Sequence, residues 1–263
     1  MSPIGRAVTS SRRRLRAARA APTVRYASPA GVIAILITGA ALSASAPAGA
    51  AQALPAPRPT QELAVLLTPH AVKATLRPGA SRKTTLPAYA PVTGAQTVLP
   101  VIGHATRSGG IRWLRVMLPG RPNGSTGWIT QRGTRPSTTS WRVAISTASR
   151  QVRVYRRGRL TRSFSAVVGK PATPTPNGRF FVEESILMPP GSAGAPYALA
   201  LSARSNVLQE FEGGPGQIAM HGVANLGGTP GTAVSHGCVR LADANIRWLA
   251  ARIAPGARVT ITP

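Results

Sequence analysis

The chain has 263 residues, 43% of them hydrophobic, and 32 Lys plus Arg against 6 Asp plus Glu give it a formal net charge of +26. That length and composition allow one or two domains with real cores, and so strong a positive charge requires an anionic neighbour. The basic residues run through the whole chain without zinc-finger spacing, an RNP-like aromatic run or a dense recognition helix, which disfavours nucleic acid against an anionic cell envelope. Cys238 is the single cysteine, so no intramolecular disulfide forms, and no cysteine follows the N-terminal apolar segment to be acylated.

Residues 1–28 form an arginine-rich head, and 26–57 carry no charged side chain. Within that gap Gly31 to Leu42 is an apolar run, followed by small residues with A-x-A triplets. Basic, then apolar, then small is the order of a secretory signal peptide, so 1–53 is expected to direct export and to be cleaved after Ala50 or Ala53. The alternative is an uncleaved membrane anchor, against which stands the Ala, Ser, Pro and Gly content of its second half. Residues 54–60 are a proline-rich linker.

From 61 to 136 a β domain is expected. Arg112 to Leu118 alternates as a half-buried strand does, Pro122-Asn123-Gly124 is a turn signal, and Gly127-Trp128-Ile129-Thr130 resumes a strand. The W-L-R-V and G-W-I segments resemble the strands of a small bacterial SH3-like barrel, with Trp113 and Trp128 expected in its core. Wall binding and a plain spacer both remain open as roles. Gln131 to Ser140, polar and containing Pro136, reads as a linker, and 137–263 as a second domain. There Trp141–Ser146 and Arg150–Tyr155 alternate as paired strands, Thr161 to Val168 reads as a third, and Asp243 is placed to cap a helix carrying Ile246, Leu249 and Ile253. Arg258 to Ile261 is a last strand. The fold class is mainly β with short helices.

Chemistry concentrates between Ile218 and Leu241. Cys238 lies in Ser235-His236-Gly237-Cys238-Val239-Arg240, and His221-Gly222 precedes it. Glycine admits close backbone approach and arginine supplies fixed positive charge, a setting that favours a thiolate nucleophile. A zinc site built on Cys238, His221 and His236 is disfavoured, because 219–242 contains no Asp or Glu. A buried, inert cysteine is the other alternative.

The S-H-G-C-V-R-L run preceded by H-G resembles the signature of the L,D-transpeptidases with a YkuD-type catalytic domain. The resemblance extends to Thr173-Pro174-Thr175-Pro176-Asn177-Gly178-Arg179-Phe180, similar to the family's T-P-x-G-x-F turn, and to Pro196-Tyr197-Ala198-Leu199-Ala200-Leu201-Ser202, similar to a segment near its substrate. It implies a YkuD-like β-sandwich in which Cys238 is the nucleophile, His221 its base, and the Gly222 carbonyl orients that base. It further implies an oxyanion hole from the amides of His236, Gly237 and Cys238. Arg240 would hold the loop or bind a stem carboxylate, Ser235 would shape the loop or bond the acyl donor, and Tyr197 would line the substrate cleft. No metal and no cofactor are implied. The partners implied are donor and acceptor stem peptides of peptidoglycan in an anionic wall, with inactivation by carbapenem-type β-lactams. Arg240 stands where some relatives have asparagine, so any role of that asparagine does not carry over. The reaction implied is 3→3 crosslinking through a cysteine thioester. An L,D-carboxypeptidase, a protein-to-wall ligase on the same site, and a noncatalytic wall-binding protein remain alternatives.

Overall fold

The computed structural model describes residues 59–211 and 213–263, so the signal-peptide or anchor reading of 1–53 and most of the proline-rich linker lie outside the described residues. No helix among the described residues is long and apolar enough to cross a membrane. Strands dominate, as the alternating sequence requires.

The first seven are β1 (Gln61–Leu66), β2 (His70–Lys73), β3 (Arg82–Leu86), β4 (Val98–Arg107), β5 (Ile111–Met117), β6 (Thr126–Thr130) and β7 (Thr134–Thr139). They form one sheet in the order β3-β2-β6-β5-β4-β1-β7. Two expectations change here. The segment read as a linker is largely β7, paired antiparallel with β1 from Gln61↔Thr139 to Leu66↔Thr134. Pro136 fits because β7 is an edge strand, where a missing amide costs no ladder bond. Trp113 and Trp128 are half-buried rather than core. Leu114, Val116 and Ile129 take the inward positions, and the two-residue period turns both tryptophans to the opposite face, where Lys73 Nζ lies 5.5 Å from the Trp113 ring centre.

The second half contains β8 (Trp141–Ser146), β9 (Gln151–Arg156), β10 (Arg159–Ser165), β11 (Val168–Gly169), β12 (Gly178–Leu187), β13 (Tyr197–Arg204), β14 (Gln217–Gly222), β15 (Ala233–Ser235), β16 (Val239–Leu241), the helix α1 (Asp243–Ala250) and β17 (Arg258–Thr262). Eight of these strands make a sheet ordered β10-β9-β8-β17-β12-β13-β14-β16, while β11 and β15 pair parallel beside it. The expected third strand is therefore two, because the chain leaves β9 after Ser165 and Val168–Gly169 joins β15. Asp243 is the first residue of α1 rather than its cap; the cap position is Ala242, which offers no side-chain bond. The carboxylate still faces the positive helix end.

Each half has its own core, and β12 feeds both. Phe180 and Val182 pack with Val143, Leu199, Met220 and Val259, whereas Phe181 packs with Leu66, Leu99 and Val116 of the first sheet. Opposite orientation of successive residues makes this possible. Ile246 and Leu249 press α1 onto the second core, each burial stabilising by roughly 1.5–3 kcal/mol. Polar bonds also join the halves: Gln61 Nε2 donates to the Trp141 carbonyl (2.6 Å), and the buried Glu184 accepts from the Thr93 amide (2.8 Å) and hydroxyl (2.9 Å).

Candidate active site

The parallel pairing of β14 with β16 sets Met220 opposite Val239 and His221 opposite Arg240, and Cys238 is the residue that leads into β16. Met220 and Val239 point into the core. His221 and Arg240 therefore occupy the other face. The Cys238 thiol donates weakly to the Gln217 carbonyl at 3.9 Å and is half-buried.

The histidine's tautomer follows from its partner. His221 Nδ1 lies 2.8 Å from the Gly222 carbonyl, which can only accept, so Nδ1 carries the proton and Nε2 is the basic nitrogen. Burial holds the ring's pKa below the ordinary histidine value, and the Arg240 charge adds to this, partly opposed by the Gly222 bond. The imidazole is thus kept neutral and able to take a proton.

Behind the ring lies Gly194, at φ 83°, where a Cβ would come 2.7 Å from His221 Nδ1. Its amide donates to the Ala224 carbonyl and its carbonyl accepts from the Gly222 amide, each at 2.8 Å, so the 188–196 loop is laced to the end of β14. We expect Gly194→Ala to destabilise the fold by about 1–3 kcal/mol and to slow any His221-dependent step, measured by urea unfolding together with thiol alkylation rates. Beside this loop a cavity of about 590 Å³ opens, lined by Met188, Pro189, Ala195 and the charged Asp243 and Arg247 of α1.

The nucleophile loop is braced from beneath. Ser235 is fully buried; its Oγ donates to the Cys238 carbonyl (2.6 Å) and accepts the Gly237 amide (3.1 Å). Both bonds of the Ser235 hydroxyl lie within the nucleophile loop. The second commits the Gly237 amide, so the three-amide oxyanion expectation loses that member. Gly237 takes φ 119°, and a side chain there would meet Ile218, which explains glycine before the cysteine. Thr173 Oγ1 donates to the Ser235 carbonyl (3.1 Å) and Thr175 Oγ1 to the Gly237 carbonyl (2.8 Å). Both threonines are buried, so the T-P-T-P segment supports the loop.

Arg240, 8% exposed, donates from Nη1 to the Gly227 carbonyl and so anchors the 223–232 connection, while its buried Nε has no hydrogen-bond partner. The connection is held further by Gly231 N to Ala166 O (2.8 Å) and Val168 N to Thr232 O (3.0 Å). Tyr197 is half-buried against the second core, next to Ala198, which pairs with His221. His236 is exposed, and its ring stands 5.5 Å from that of Phe211, tilted by 30°.

One supporting residue left no motif in the sequence. Gln217, whose carbonyl meets the thiol, donates from Nε2 to Glu183 Oε1 (3.2 Å) and to the Leu201 carbonyl (3.0 Å), and Arg204 Nη1 donates to the same carboxylate at 2.9 Å. Burial pushes the Glu183 pKa up while Arg204 pulls it back. Removing the cation leaves the largely buried carboxylate with the neutral Gln217 amide and without its compensating charge. Arg204→Ala should therefore cost about 3 kcal/mol in urea unfolding, and Glu183→Gln distinctly less.

A β-sandwich with a histidine on β14 and a cysteine at the entry to the adjacent β16 defines a class, and comparison with known proteins assigns the family. Residues 140–261 match the YkuD family, described as the L,D-transpeptidase catalytic domain. The YkuD protein of Bacillus licheniformis, named for the same activity, is 35% identical over 128 residues, covering 49% of this chain and 69% of that protein. Its Bacillus subtilis counterpart is 28% identical over 146 residues, 56% of this chain and 73% of that protein. A solved L,D-transpeptidase of Mycobacterium tuberculosis aligns at 16% identity over 64% of this chain and 90% of that one, with a TM-score of 0.40. LdtMt1 in complex with imipenem aligns at 19% identity over 64% and 92%, also at 0.40. The chain belongs to the L,D-transpeptidase family with a YkuD-type catalytic domain.

Proposed function

We propose that this protein is an exported peptidoglycan L,D-transpeptidase that forms 3→3 crosslinks through a thioester on Cys238. The observation that carries the reading is His221, with its Nδ1 bonded to the Gly222 carbonyl and Nε2 as its basic nitrogen, on the strand that pairs with β16, into which Cys238 leads. In the first step His221 takes the Cys238 proton and the sulfur attacks the carbonyl at the L-centre of the third stem residue. The amide C–N bond breaks, and the terminal D-alanine leaves with the proton returned by His221. In the second step the side-chain amine of another stem, of the diaminopimelate type, attacks the thioester and gives a proton to His221. An amide forms and the thiol is restored. The amides of His236 and Cys238 serve the oxyanion, a contribution worth a few kcal/mol per donor in the barrier. Arg240 favours the thiolate by its charge.

The cavity beside the 188–196 loop is the space we assign to a stem peptide. Residues 1–53, in the order basic, apolar, small, support export to the cell envelope, and the +26 charge suits an anionic wall. The 61–139 sheet we read as an SH3-like unit.

The test is incubation of the purified protein with imipenem, followed by intact mass and then product analysis on disaccharide-tetrapeptides. A single covalent adduct and a 3→3 dimer are expected. An adduct with hydrolysed tripeptide as the only product would make water the acceptor and the protein an L,D-carboxypeptidase. No adduct on folded protein would overturn the catalytic reading.

A further inference from the structure

The 205–216 segment connects β13 to β14 and is rich in glycine, with Gly213, Gly214 and Gly216. Such a segment loses much conformational freedom on ordering and requires tethers. Its own are local: the Ser205 hydroxyl accepts the amides of Val207 (3.2 Å) and Leu208 (3.0 Å), and Phe211 and Gly214 exchange backbone bonds of 2.9 and 3.0 Å. The Ser205 amide also donates to the Gly216 carbonyl at 2.8 Å and closes the base of the segment, and a further set of tethers comes from the other half of the molecule.

Arg121, in the β5–β6 hairpin of the first sheet, donates from Nη1 to the Pro215 carbonyl (2.9 Å) and from Nη2 to the carbonyls of Ser205 (2.9 Å) and Leu208 (3.0 Å). Three carbonyls from both ends of the segment thus converge on one guanidinium, whose fixed fork of donors suits such a set. Next to it Asn123 holds the base of the segment. Its Oδ1 accepts the Arg204 amide (2.8 Å), and its Nδ2 donates to the Arg204 carbonyl (2.7 Å) and to Asn206 Oδ1 (3.1 Å). At the far end Phe211 lies against His236, two residues before Cys238.

We propose that the β5–β6 hairpin, through Arg121 and Asn123, positions the 205–216 segment against His236 and thereby builds one wall of the Cys238 site. Arg121 is then a positioning residue, and the first sheet is a working part of the enzyme rather than a spacer. The inference rests on the proposed function only for its activity readout.

The experiment compares the full chain with Arg121→Ala, Arg121→Lys and Asn123→Ala, by amide hydrogen exchange and by the rate of Cys238 acylation with imipenem. Arg121 is exposed, so its loss should leave both cores and the exchange of β8 and β9 intact. In Arg121→Ala we expect the amides of Val207, Leu208, Phe211 and Gly214 to exchange at least tenfold faster. Acylation should slow by about ten- to a hundredfold, the scale set by a displaced reacting group. Arg121→Lys should rescue little, because an ammonium cannot serve three divergent carbonyls. Should Arg121→Ala fail to fold, Asn123→Ala carries the same two readouts. Unchanged exchange in 205–216 overturns the proposal, as does faster exchange with unchanged acylation. If the wild-type protein is not acylated, the proposed function fails alone; alkylation of Cys238 by iodoacetamide then replaces acylation and decides the clamp.

Discussion

Replacing Cys238 by alanine should abolish the covalent adduct with imipenem and lower crosslinking by at least about 10⁴-fold, as loss of a nucleophile does when no other group replaces it. The substitution removes one sulfur from a half-buried position, and the loop around it is held by bonds that do not involve the thiol. Ser235 Oγ still reaches the backbone carbonyl of residue 238, and Thr175 still reaches that of Gly237. Folding should therefore survive, and a melting curve close to that of the wild type alongside the missing mass shift is the expected pair of results. An adduct persisting in Cys238→Ala would move the chemistry to another residue, and among the described residues there is no second cysteine to receive it.

The second large effect concerns His221. Because its pKa lies below the ordinary histidine value of about 6.5, the neutral, proton-accepting ring persists to lower pH than a solvated histidine would allow. The acylation rate should fall with acid, with a limb centred below the usual histidine range, and His221→Gln should lower the rate by about 10²- to 10⁴-fold and remove that limb. Stability follows the same group. Between the lowered folded value and about 6.5 the unfolded chain binds more protons at this site, so His221 stabilises the fold above that window and the contribution is lost as pH falls through it. Urea unfolding across that range, compared between wild type and His221→Gln, should show a shallower acid loss in the variant. A rate independent of pH below 6.5, or a variant with the wild-type profile, would remove His221 as the base.

Much of this was open to reading from the chain alone, for physical reasons that differ from one element to another. The strands of the second half announce themselves because a half-buried strand must alternate, and Val143, Ile145, Val152 and Val154 do. The H-G and S-H-G-C segments stand out because cysteine, histidine and positively charged side chains are chemically distinct and because glycine is required where Gly237 takes positive φ. The family followed from those residues. What they do not contain is any record of which strand lies beside which. Only the parallel register of β14 with β16 sets His221 beside the strand that Cys238 leads into, and only the edge position of β7 lets the Pro136 segment be a strand rather than a linker.

Tertiary contacts also reassigned individual side chains. In the sequence the Thr173 to Thr175 turn carries only a family likeness and Ser235 two open roles, yet their hydroxyls are spent on carbonyls of the nucleophile loop, because buried backbone oxygens need donors. Arg121 sits in a turn 117 positions before the cysteine and carries no motif; its meaning comes from three carbonyls that only folding assembles. Sequence by itself determined the chemistry available and the β class, since both depend on residue type and short-range period. The tertiary structure decided which groups face one another, because that depends on pairings between segments whose separation along the chain leaves no local trace.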